Sequence, residues 1–188
     1  MHVFDSAAYG PVLARLVETD RNRPLDAGTP VREVTSQLDV LTVEAAFAHA
    51  TIADRAMADT CIAAVWLLRD FLDTSHSISQ GIKTREGSFW HGIMHRREGD
   101  YSNAKYWFRN VDEHPVYNDL TVVAQQLAAD HKNYVARDLT GWPVWNAYRF
   151  VDLCQTAVED GDGEPLLRAI QQAEWELLFD FCYQHAIG

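Results

Sequence analysis

The 188-residue chain has only three cysteines, Cys61, Cys154 and Cys182, which lie far apart and are odd in number. This pattern fits neither a disulfide framework nor a cysteine zinc motif, and it points to a reducing, cytoplasmic setting. Long apolar runs are also missing. The longest, Cys61–Leu68, is far short of the roughly 20 residues that span a bilayer. The opening MHVFDSAAYGPVLARL lacks a basic segment followed by an apolar one, so no signal peptide is expected. Neither GxGxxG nor GxxxxGK(S/T) occurs, which removes support for dinucleotide and P-loop nucleotide binding. GxSxG is absent, and no cysteine neighbours the histidines, which weakens nucleophilic acyl transfer. Positive charge is scarce, with 16 Lys and Arg against 27 Asp and Glu and a net charge of −11. Such a chain is a poor partner for nucleic acid or an anionic membrane, whatever its aromatic content.

What is present has a helical period almost throughout. A chain of this length is one domain by size, can bury roughly 70% of its unfolded surface, and needs no metal or disulfide merely to fold. Its 47% hydrophobic content is that of a globular protein. A first helix is expected over Ser6–Glu18, and a second from Thr29 as N-cap with Pro30 in the first turn. A long helical region should follow from Val43 to about Thr74. Within it Met57, Cys61, Val65, Leu68 and Leu72 form one apolar stripe. Later starts are expected at Ser88, Ser102, Asn118 or Asp119, Gly141–Pro143 and Pro165, where GDGEP (Gly161–Pro165) makes a clear break. No repeat, low-complexity tract or strand pair is evident. The expected fold is all-α: a single domain over residues 1–188, six to eight helices in a bundle around a central apolar helix at about residues 53–74. A homo-oligomer is compatible with this pattern.

Chemistry concentrates in Trp90–Pro115, WHGIMHRREGDYSNAKYWFRNVDEHP. Between Lys83 and Arg109 six basic residues face three acids, a basic island in an acidic chain. If Phe89–Glu98 is helical, His91, His95 and Glu98 fall within an arc of about 60°. Two imidazoles and a carboxylate on one face suit a divalent transition metal or acid–base work on one substrate. The glutamate of HExxH is absent, since Gly92, Ile93 and Met94 separate the histidines. The opposite arc, Phe89, Trp90, Ile93 and Met94, faces the core with Arg97 in its middle. Either the helix frays at Glu98–Gly99 and leaves Arg97 in water, or its guanidinium is buried and needs a carboxylate or ligand. Glu174 is the expected partner, because it lies on the apolar stripe Leu167, Ile170, Leu178 and Phe181 of the terminal helix. Arg96 points elsewhere. The run AKYWFRNV should form a largely enclosed helix, with Lys105 and Arg109 directed toward an anion or Asp100. His114, held extended before Pro115, is a candidate third imidazole, and His76 a second-rank one.

The segment from Thr74 to Val116 (TSHSISQ, then GSFWHGIMHRREGDYSNAKYWFRNVDEHPV) resembles a family of uncharacterised soluble proteins carrying WHGIMHRRE-x-DYSNAKYWFR-x-V-x-x-HPV. Looser similarity runs through AVWLLRDFL, GWPVW and the Glu174–Cys182 helix. Gly99 stands where that family has proline. The resemblance implies that the central stretch is the family hallmark and implies no activity.

Three functional expectations follow. The first is a protein that binds or acts on a small anionic or polyhydroxylated ligand. His91, His95 and Glu98 would do proton transfer, and Arg96, Arg97, Asp100, Asn103, Lys105, His114 and Glu174 would shape the binding site. The second is a metal-dependent hydrolase or oxygenase with His91, His95 and Glu98 as ligands. The third is a helical interaction module in which the cluster is a structural polar network.

Overall fold

The computed structural model describes residues 4–188. Its elements are a 3-10 turn at Ser6–Tyr9, α1 (Gly10–Val17), a 3-10 turn at Arg32–Val34, α2 (Thr35–Leu38), α3 (Val43–Ala46), α4 (Arg55–Leu68), α5 (Leu72–Ser79), α6 (Arg85–Glu98), α7 (Tyr101–Val111), α8 (Val116–Ala128), α9 (Tyr134–Thr140), α10 (Ala147–Asp160) and α11 (Glu164–Ile187). There is no strand among the described residues, so the all-α expectation holds. Eight of the eleven α-helices run for eight residues or more. No helix among the described residues is long and apolar enough to cross a membrane.

Several helix boundaries differ from the sequence reading, each because a side-chain cap or a backbone reversal overrides the apolar period. The helix expected from Val43 to Thr74 is three helices. Thr42 caps the single turn α3, Asp54 caps α4 through the Met57 N–H, and the chain reverses at Asp70 with φ 63° before α5. The start expected at Thr29–Pro30 is not helical, and the first turn there begins at Arg32. Thr84 rather than Ser88 caps α6, and Asp100 rather than Ser102 caps α7, with Ser102 Oγ donating to the Asp100 carboxylate. Helix α8 starts directly after Pro115, before Asn118. Asn133 caps α9, a helix the sequence did not announce, and Asn146 rather than Gly141–Pro143 opens α10. Pro165 does sit in the first turn of α11.

The core has two axes. Cys61, Val65 and Leu68 of α4 are buried as the stripe predicts, but α6 is buried from Glu86 through Arg97 and is equally central. Helix α11 packs along α4 and α8, and Trp175 Nε1 donates to the Ala64 carbonyl across the α11–α4 contact at 3.1 Å. Helices α6 and α7 form an antiparallel hairpin through Gly99, whose φ of 88° is a left-handed value open to glycine. Gly92 lets α7 approach closely: a Cβ there would stand 3.1 Å from the Phe108 ring. That approach brings the side chains of Asn103 and Trp107 over the histidines of α6.

Candidate functional site

The site is built on α5, α6 and α7. Helix α6 turns His91 and His95 to one side at i, i+4, as expected, and α5 lays His76 across them. The ring centroids are 4.6 Å apart for His76–His91, 4.7 Å for His91–His95 and 5.2 Å for His76–His95. One ring nitrogen from each of the three lies within 4.8 Å of the other two. Trp107 of α7 covers His91 at 4.1 Å between centroids, so the group is walled by an aromatic ring on one side.

Ser79 Oγ lies 3.3 Å from the His76 carbonyl and 3.0 Å from His91 Nδ1. When its hydroxyl donates to that carbonyl it accepts from His91 Nδ1–H, and the Nε2 lone pair of His91 is the ring's basic position. The Glu98 carboxylate accepts from His95 Nδ1–H at 2.9 Å, and His95 Nε2 in turn accepts from Asn103 Nδ2 at 3.1 Å. Each imidazole of α6 therefore has its Nδ1 held by a partner, the arrangement by which outer groups orient metal-binding histidines; the Nε2 lone pair of His91 is free, while that of His95 is capped by the Asn103 amide, which an ion would have to displace. Burial holds the His91 pKa down to about 3, with the His95, His76 and Lys83 charges acting in the same direction. Burial also lowers His95, against the opposing pull of Glu98. Both rings are thus neutral, the protonation state a metal ligand requires.

An open cleft of about 660 Å³ leads to the histidines, lined by Asp73, His76, His95, Glu98, Gly99 and Asp100. Glu98 is half-exposed. The Asp100 carboxylate is held below its ordinary range by the Asn103 N–H it caps and by Ser102. Neither lysine nor arginine lines this cleft.

The basic residues of the central stretch turn away from it. Arg97 does not meet Glu174. It binds Asp70 at 2.6 Å and the Leu67 carbonyl at 3.0 Å, and Arg23 shares the same carboxylate. Glu174 pairs instead with Arg96. One arginine per face of α6 was legible. Which of the two faced α11 was not, because that depends on how α11 crosses α6. Lys105 pairs with Asp152 of α10 rather than with Asp100. Helix α7 is one-sided rather than enclosed, since Tyr106 is exposed. His114 does not join the other imidazoles: it is buried against Phe89 and Phe181, with Nε2 3.4 Å from Glu86. The structure thus gathers His91, His95, Glu98, Asp100 and Asn103 of the expected set. It brings in His76, the second-rank candidate, and adds Asp73 and Ser79, which carried no sequence signal beyond flanking His76 by three residues.

Comparison of the chain with protein-family models, with curated proteins and with solved structures finds no match.

Proposed function

We propose that this chain is a metal-dependent protein that holds one divalent transition ion through His76, His91 and His95 and acts on a small polar ligand in the adjoining cleft. The observation that carries the reading is the convergence of three imidazole nitrogens within 4.8 Å, with the Nδ1 atoms of both α6 histidines tied by Ser79 and Glu98. Three histidines leave a coordination position open, as catalytic zinc sites do. An ion there would bring the pKa of its bound water toward neutrality, and Asp73, Glu98 or Asp100 would take the proton. This favours hydrolysis among the reaction classes. The carboxylate-lined cleft favours a neutral, hydroxylated ligand over an anionic one.

All three histidines fall within Thr74–Val116, the segment that carries the family resemblance, and this agrees with a shared site. The three free, buried cysteines suit a reducing compartment such as the cytoplasm. The arginine half of the cluster supports a second role, as an ion-pair network that serves the fold.

The test is metal analysis of protein purified without added metal, followed by chelation and reloading with cobalt(II). Visible absorption of a low-symmetry, nitrogen-ligated ion is expected at one equivalent, and it is lost in His91→Ala. Protein that carries no metal and yields no cobalt spectrum excludes the reading.

A further inference from the structure

Helix α7 lays two side chains, one turn apart, against the histidines of α6. Trp107 covers His91, and the Asn103 amide donates to His95 Nε2 at 3.1 Å. His95 Nδ1–H is committed to Glu98 at 2.9 Å, so Nε2 carries the ring's one lone pair. That lone pair accepts from the amide or binds an ion, and it cannot do both. Bonds from imidazole nitrogen to zinc are about 2.0–2.1 Å long. An ion that close on the lone pair takes the place the amide holds.

The amide is free to leave. The Asn103 backbone N–H is held separately, by the Asp100 carboxylate at 3.1 Å, so the side chain can turn about its own bonds without unwinding α7. Asn103 is only half-buried, which gives the released amide access to water. The Asp100 carboxylate, already drawn on weakly by the Asn103 side chain, is its nearest alternative acceptor. His91 Nε2 has no such cap. An incoming ion therefore meets His76 and His91 first, and His95 joins as the amide swings away.

We propose that Asn103 is the gate of the ion site: it competes with the ion for His95 and so sets how tightly the third imidazole is added. This rests on the metal reading given above. One hydrogen bond is worth a few-fold to about tenfold in affinity, and the gate lowers ion affinity by that factor. Trp107 is a fixed wall of the site, and Asn103 is the part that moves.

The experiment titrates chelator-stripped parent and Asn103→Ala with zinc(II) by calorimetry. In parallel, the side-chain NH₂ resonances of Asn103 are followed in ¹⁵N-labelled parent. Asn103→Ala should bind zinc about three- to tenfold more tightly than the parent. In the parent, one equivalent of zinc should move the Asn103 amide resonances to positions typical of a hydrated side chain. That second measurement needs no variant and stands even where Asn103→Ala fails to fold. Equal affinities with an unmoved Asn103 amide overturn the gate and leave the metal centre intact. Weaker zinc binding by a folded Asn103→Ala also overturns it, since the amide would then be a ligand rather than a competitor. No zinc binding by the parent overturns the gate and the metal reading together.

Discussion

Arg96 of α6 and Glu174 of α11 form a two-pronged ion pair, Nη1–Oε1 at 3.2 Å and Nη2–Oε2 at 2.5 Å, with neither side chain exposed. Gln171 accepts a further bond from Arg96 at 3.3 Å, and the Phe150 ring lies 4.6 Å from the guanidinium carbon. The pair ties the hairpin of α6 and α7 to the terminal helix, and with Arg97–Asp70 it fixes α6 from two sides.

Breaking such a pair on one side strands a charge in the core. Glu174→Ala should therefore destabilise the protein by about 3–5 kcal/mol, and Arg96→Met with Glu174→Leu should recover most of that loss. Chemical denaturation of the parent and the two variants checks both statements. A Glu174→Ala variant as stable as the parent would mean that the guanidinium reaches water.

His91 predicts a pH dependence. Its folded pKa is about 3, against 6.5 for the free side chain. Below pH 6.5 the unfolded chain takes up a proton that the folded chain refuses. Stability is therefore fully present above pH 6.5 and falls as pH drops toward 3, by up to about 1.4 kcal/mol per pH unit from this group. His91→Gln removes that contribution, so in metal-free protein the stability gap between parent and variant should narrow steadily as pH falls from 6.5 to 4. A gap independent of pH would show that His91 is not buried in its neutral form.

The fold class was legible because the apolar period is helical nearly everywhere, and Pro165 and the Leu167–Leu178 stripe placed α11 almost to the residue. Helix breaks inside apolar stretches were not legible. The reversal at Asp70 is imposed by a carboxylate tied to Arg23 and Arg97, partners 47 and 27 residues away. For the site, the i, i+4 spacing of His91 and His95 is local information and survived folding. The third imidazole was a tertiary matter. His114 follows the pair along the chain beyond Asn103, but α7 carries it away to Glu86, while the turn before α6 brings His76 back. Likewise, burial of Arg97 could be read from its place in the apolar arc, whereas that of Arg96 could not, and the partners of both were set by helix crossing.

The most direct test of the account is a calorimetric titration of chelator-stripped protein with zinc(II), comparing the parent with His76→Ala, His91→Ala, His95→Ala and, as control, the exposed His131→Ala. One ion per chain should bind to the parent and to His131→Ala, and each of the three cluster variants should lose that binding by at least about a hundredfold. Equal zinc binding by parent and cluster variants, or none by the parent, would contradict a metal centre at His76, His91 and His95.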